Sequence, residues 1–293
     1  MNMRHLQLPR RLGKDNVAGK SGKNAGSRVR PLQSVQSLTT SCQGLCALPA
    51  GLVIWSSATF IFPYITAVLL RHVDPMVPYI SDSGTEPPER CLFGLMLNVS
   101  SFLGVATMFV RYKQVKALTS WEDRGVRRLN AAGLGLGLGS CFGMCVVANF
   151  QKTVIISMHV LGAAMTFGLG TLYILVQVAA SHRTHVHGKG VFWVRLGVGL
   201  WSLASIVVMF VSSVIMYNSV PDVDIVKKLH WNTLEPVRGY TAHLLSTISE
   251  WSLAFSFVSF FLTYIRDFQE VSLRAEVVLQ RNRETSPLLT GSL

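Results

Sequence analysis

Charge is scarce in this chain, and acid is scarcer than base. Only 14% of its 293 residues are Asp, Glu, Lys or Arg, against about 25% in soluble domains. The deficit is uneven, because nearly uncharged windows alternate with short charged ones. An apolar window of about twenty residues crosses a hydrocarbon core of about 30 Å, and the buried helices of soluble proteins are usually shorter. An ordinary soluble domain is therefore excluded. Cysteine is sparse too, at Cys42, Cys46, Cys91, Cys141 and Cys145. Only Cys91 borders a polar loop, so there is no disulfide framework. Cys141 and Cys145 lie four apart inside an apolar window; two thiols make a poor metal site, and they read as small packing residues. No HExxH, serine elbow or Cys–His pair with a third member is present. The chain is not expected to be an enzyme or to carry a cofactor or metal, and an intramembrane lipid-modifying enzyme has no constellation to support it.

What is present is a series of six apolar windows, roughly 47–70, 91–110, 130–149, 154–178, 191–217 and 241–265. Their length fits helices, which satisfy their own backbone in lipid, and not the short spans of barrels. The fold class expected is all-α: a polytopic membrane protein with six transmembrane helices over 45–265. Residues 1–44 form a basic arm of composition typical of disorder, and 266–293 form a tail. The arm carries net +7, residues 111–128 net +4, and 181–195 net +3. Residues 71–91, on the opposite side, carry net −2. An even number of spans puts both termini on one side, and the positive-inside rule makes that side cytoplasmic. Because the basic excess of +12 follows topology, membrane lipids are the expected partners and nucleic acid is not.

The acidic loop "HVDPMVPYISDSGTEPPE" holds four prolines and four carboxylates between the first two windows. Its prolines favour an ordered turn, with Ser81–Gly84 as a side-chain-bonded bend. One reading is a stiff cap over the helix ends; the other is a luminal interaction face built on Tyr79, Asp82, Gly84, Thr85 and Glu89. Its pattern misses that of a calcium loop. The glycines of "GLGLGLGS" lie inside an apolar span, where Gly133/Gly137 and Gly135/Gly139 suit close helix packing and not phosphate binding. Glu250 lies nine residues into the sixth window, where a charged carboxylate is expensive. Its expected partners are His243, near the same face, and His159 or Gln177 across the bundle. Three roles stay open for this group: a structural polar cluster, a proton or ion relay, or recognition of a lipid headgroup. His182, His185 and His187 read as loop histidines. Asn98 begins an NVS glycosylation pattern but sits within the second window, so it is expected to be unused.

After the last window, "VSLRAEVVL" has the pattern of a short amphipathic helix lying on the membrane. "ETSPLL" then places Glu284 ahead of Leu288 and Leu289. That is an acidic dileucine pattern, two apolar side chains for a groove and a carboxylate for a basic patch, of the kind read by endosomal and lysosomal sorting adaptors.

Taken together, "PYISDSGTEPPE", "RYKQV", "VANFQKT", "HGKGVFWVRL", "KLHWN", "EWS" and "FFLTYIRDFQ" resemble the damage-regulated autophagy modulator family, grouped with FRAG1 and Sfk1. The resemblance covers roughly 45–275. The family motifs fall on Pro78–Ser83, Gly84, Thr85 and Glu89, on Asn149–Gln151, on His230–Asn232, on Glu250 and Trp251, and on Asp267–Gln269. It implies a six-helix protein of the lysosomal membrane; the endosomal, Golgi and apical plasma membranes are further expected locations. It further implies promotion of autophagy through protein partners of the autophagy–lysosome pathway or through lipid contacts, with links to cell death and photoreceptor maintenance, and no established catalytic residue. The basic arm departs from the family, which usually begins almost at the first helix. A transporter or ion channel using Glu250 is the alternative function.

Overall fold

The structure, a computed structural model, describes residues 38–43, 45–76, 78–119, 122–184, 189–219, 239–269 and 272–277. Most of the basic arm lies outside them, as do His185, His187, His230–Asn232 and the sorting residues Glu284, Leu288 and Leu289. The chain divides into two compact units. The smaller, Met1–Leu38 with Glu276–Leu293, falls almost wholly outside the described residues; the larger, Thr39–Ala275, is the membrane domain.

Six helices are long and apolar enough to cross a membrane. They are α1 (Ala47–Leu69), α2 (Glu89–Leu118), α3 (Arg124–Asn149), α4 (Ile156–Thr184), α5 (Lys189–Ser219) and α6 (Tyr240–Gln269). The family resemblance and the apolar windows both anticipated this architecture. Helix α2 runs two turns past its window, and α3 starts well before its own, because hydropathy registers the oil and not the helix. Their charged ends continue the backbone ladder into the interface.

The interior is more polar than the surface. Ser202, Thr247 and Ser256 are wholly buried, while Ile54 and Phe102 are 71% and 72% exposed. Lipid tails are as apolar as leucine, so burying leucine gains little in this solvent. Association rests instead on close packing and interhelical hydrogen bonds. Each helix packs on its neighbour in sequence, and α6 returns to α1, closing the ring.

Glycine decides the α3–α4 contact. A Cβ on Gly143 would lie 2.7 Å from the Gly162 carbonyl oxygen. One turn further along α4, residues Met165–Leu169 form a π-turn, and Ser140 of α3 donates to the Thr166 carbonyl at 2.7 Å. The glycine repeat behaves less uniformly than its spacing suggests: Gly133 meets Gln177 of α4, but Gly135 faces open space. Cys141 is buried, and Cys145 donates to Ser101 across the α2–α3 contact. Asn98 sits within α2 with its side-chain amide on the Gly94 carbonyl.

Helix α1 ends in a Schellman motif. Arg71 adopts φ 63, His72 N–H bonds the Ala67 carbonyl at 2.9 Å, and Arg71 N–H bonds Val68 at 3.1 Å. The chain thereby turns back over the bundle. At the other face, Asp123 caps α3 by accepting from Val126 N–H at 3.0 Å. Strand β1 (Leu38–Gln43), ahead of α1, pairs with β2 (Ser272–Val277), beyond α6. Within the stretch expected to be an amphipathic helix, residues 272–277 are therefore a strand, and residues 38–43 at the end of the arm are its partner. A local periodicity cannot register a pairing partner more than two hundred residues away. The pairing also places the start of α1 and the end of α6 on one face, as an even number of spans requires.

Candidate functional site

Two buried polar networks close the bundle, one at each face. The first joins the 71–88 loop to α6. A proline-rich loop has few N–H groups and many carbonyls, so what holds it must donate. Tyr64 O–H donates to the Pro75 carbonyl at 2.8 Å, and Trp251 indole N–H to the Pro78 carbonyl at 2.8 Å. The adjacent residue, Glu250, accepts from Ile80 N–H at 3.0 Å. Glu250 and Trp251 thus hold both ends of the short Pro78–Ile80 stretch, one as acceptor and one as donor. The carboxylate that looked anomalous inside a span is one half of a clamp on the loop.

The rest of the loop folds inward. Ile80–Gly84 is a 3-10 turn in which Asp82 accepts from Tyr79 N–H at 3.1 Å. Ser83 donates to the Ile80 carbonyl and Thr85 to that of Asp82. Asp82 also forms an ion pair with Lys152, from the short α3–α4 turn. The Lys152 ammonium lies 5.1 Å over the Tyr79 ring. Tyr79 O–H donates to Ser246 at 2.8 Å, and His243 meets the Tyr79 ring edge-on at 5.4 Å. Gly84 seats directly on Phe93, where a Cβ would come within 2.5 Å of the ring. Glu89, 1% exposed, pairs with His72 at 2.5 Å. Burial pulls the Lys152 ammonium down, but Asp82 and its further negative neighbours outweigh it, so its pKa lies above the ordinary lysine value. Burial raises the Tyr79 phenol, against the bonds from Ser213 and Ser246, and it stays neutral.

The five loop residues Tyr79, Asp82, Gly84, Thr85 and Glu89 accordingly turn toward the bundle, and Arg71, Met76, Glu86 and Arg90 form the outer surface. His243 belongs to the same network as Glu250 through Tyr79. His159 bonds the Phe150 carbonyl at 2.7 Å instead, and Gln177 lies in the network at the opposite face. Among the described residues, no group of three or more His, Cys, Asp and Glu is placed to hold a metal ion.

The second network centres on Asp267 near the end of α6. Its Oδ2 accepts from Arg111 of α2 at 2.9 Å and from Arg195 of α5 at 2.5 Å. These side chains are 2% exposed or less. Gln114 accepts from Arg111 and donates to the Asp267 carbonyl, each at 2.8 Å. Arg195 also bonds Ser181 and Thr263. Both guanidinium groups lie about 5 Å from the Tyr264 ring, and the Tyr264 hydroxyl meets that of Tyr173 at 2.9 Å. The charge count that sets topology includes Arg111 and Arg195 without marking them as buried. The available signal was depth: Arg195 lies inside its apolar window, and Arg111 immediately follows Val110 at the end of another.

Between the networks lies a mainly apolar cavity of about 100 Å³, bounded by α1, α2, α3, α4 and α6. Glu250 and His159 reach its wall, with Ser100, Ser140 and Thr166 further along. Its surface suits hydrocarbon better than a hydrated ion.

Residues 44–271 match the family of the Frag1/DRAM/Sfk1/Cwh43P N-terminal domain. The chain is 54% identical to DNA damage-regulated autophagy modulator protein 2 of Bos taurus, over 81% of this chain and 89% of the bovine protein. It is 52% identical to the Homo sapiens protein of that name, over 81% and 89% of the two chains. To DNA damage-regulated autophagy modulator protein 1 of Homo sapiens it is 40% identical, over 79% and 94%. No solved structure matches the chain.

Proposed function

The chain belongs to the Frag1/DRAM/Sfk1/Cwh43P family, and from that premise we propose that it promotes autophagy from the lysosomal membrane. In this reading both chain ends face the cytosol, the 71–88 loop faces the lumen, and the protein acts through protein or lipid contacts without catalysis of its own. Its relatives' names carry the proposal: proteins more than half identical over four-fifths of this chain are autophagy modulators. The sorting pattern of Glu284, Leu288 and Leu289 supports the lysosomal address through cytosolic adaptors, with cell death and photoreceptor maintenance as physiological settings.

The two networks support a regulator better than a carrier. Glu250 is committed to a backbone amide and Asp267 to two arginines, so neither is a free relay group. The apolar cavity between them favours a lipid contact over an ion path. The test is lysosomal degradation of long-lived protein in cells lacking the two autophagy-modulator relatives, with this chain restored. Increased flux, lost when Leu288 and Leu289 become Ala and the protein moves to the cell surface, is expected. Unchanged flux from correctly located protein refutes the proposal. Ion or substrate flux in reconstituted vesicles, abolished by Glu250→Gln, would establish the transporter instead.

A further inference from the structure

The protein pairs the cations it buries. Lys152 has Asp82, and Arg111 and Arg195 share Asp267. Lys116, Arg124 and Arg128 are treated differently. They are exposed, and among the described residues none has an ion pair. They converge on one concave surface between the end of α2 and the start of α3, a pocket of about 760 Å³. Tyr112, Thr119 and Arg127 complete its polar lining, and among the described residues no carboxylate lines it. The nearest acids in the connecting turn are Glu122 and Asp123, and Asp123 is engaged as the α3 cap.

Depth adds the second constraint. Phe109, one residue before the α2 window ends, and Leu118, at the helix terminus, are 49% and 48% exposed. The pocket therefore sits where hydrocarbon gives way to headgroups. Topology signals need basic residues in number but not in a concave arrangement. Three exposed cations from two helices, Lys116, Arg124 and Arg128, with Arg127 and Tyr112 beside them, form a cradle for a polyanion with tetrahedral phosphate groups.

We propose that this pocket binds the headgroup of a membrane lipid carrying phosphomonoesters, with the acyl chains lying along the outer faces of α2 and α3. Its assignment to the cytosolic leaflet rests on the orientation proposed above; the binding does not. A diester lipid of single charge, such as phosphatidylserine, lacks the charge density to engage three cations at once.

The test uses the purified full chain in nanodiscs of phosphatidylcholine alone, with phosphatidylserine, or with phosphatidylinositol bisphosphate. Bound lipid is counted by native mass spectrometry. Retention of the bisphosphate lipid is expected, with little retention of phosphatidylserine. At about fivefold per basic group, the Lys116→Gln/Arg124→Gln/Arg128→Gln variant should bind about a hundredfold more weakly. Lys113→Gln, a neighbouring exposed cation outside the pocket, should leave binding unchanged. A loss in Lys113→Gln equal to that in Arg128→Gln alone, about fivefold, would show a diffuse positive surface and overturn the proposal, as would equal retention of phosphatidylserine. Inorganic phosphate or soluble inositol bisphosphate binding as tightly as the lipid would assign the pocket to a soluble anion instead. Should the triple variant not fold, Arg128→Gln alone and competition on the unaltered protein decide, because both read the pocket without disturbing the bundle. Since binding is measured without cells, its failure leaves the autophagy proposal standing, and the reverse also holds.

Discussion

Replacing Asp267 by Asn is the most informative single perturbation, because it changes the sign balance of a closed compartment while keeping shape. In the native network two guanidinium groups face one carboxylate, all but removed from solvent. The substituted amide would keep an acceptor oxygen but leave two buried cations with no anion. Breaking a buried pair by removing one partner costs about 3–5 kcal/mol, most of it the uncompensated charge. At about 2–4 °C per kcal/mol for a domain of this size, the melting temperature in detergent should fall by about 6–20 °C. Arg111→Met separates charge from contact. It removes a larger side chain and more hydrogen bonds, but leaves Arg195 and Asp267 as a neutral pair, and Met fills the space flexibly. If net charge governs the network, Arg111→Met should lose less than half of what Asp267→Asn loses. Thermal unfolding followed by tryptophan fluorescence gives both numbers. Equal losses, or a fall of less than about 2 °C for Asp267→Asn, would show that packing and not charge balance holds this face together.

Glu250→Gln keeps an oxygen for Ile80 N–H and should change stability by less than about 1 kcal/mol, whereas Glu250→Ala leaves that amide unpaired at about 1–3 kcal/mol. Trypsin cleavage after Arg71 and Arg90 should accelerate in the Ala variant alone, and acceleration in both would refute the clamp. Lys152→Met strands Asp82, so it should melt well below the wild type between pH 6 and 9. Because the folded Lys152 pKa is raised, the pair's contribution is complete below the unfolded lysine value of about 10.4 and is lost as pH rises through the folded value. The melting difference between wild type and Lys152→Met should therefore stay constant to pH 9 and shrink above pH 11; a difference that shrinks by pH 8 would contradict the pairing.

The spans were legible in the sequence because lipid imposes a composition on twenty consecutive residues, and no long-range contact can relax it. Glu250 was legible as costly for the same reason. Its partner was not, because Ile80 offers a backbone amide, which every residue but proline has, and no side-chain alphabet marks it. The Arg111–Arg195–Asp267 network escaped for a different reason. Each member lies toward a helix end, where a charge normally reaches water; the depth of Arg111 and Arg195 marks them as unusual, but the closed ring of helices is what shows that these three turn inward. The α3–α4 contact was half legible: "GAAMTFGLG" marked the α4 side through Gly162, but the α3 partner, Gly143, lies outside the repeat that drew attention. The strand pair was illegible, since its two halves sit at opposite ends of the chain.

The native cysteines allow the closed character of the cavity to be measured without substitution. Cys141 lines the cavity and is 2% exposed, while Cys91 is exposed at the start of α2. A carrier must open this space to water on each cycle, which would separate Asp82 from Lys152 or Asp267 from its arginines. A minor state a few kcal/mol above the ground state is populated at about 0.1–10%, and two charge networks place this opening at the low end of that range. Reaction of Cys141 with a membrane-impermeant maleimide should then run at least about a hundredfold slower than that of Cys91. A lipid-soluble maleimide provides the correction for intrinsic reactivity, because the ratio of the two reagents at each cysteine cancels it. Peptide-resolved mass spectrometry separates the sites. If Cys141 reacts with the impermeant reagent within about tenfold of Cys91 after this correction, water enters the bundle routinely. The networks would then act as gates and not as fastenings, and the transporter reading would displace the regulator.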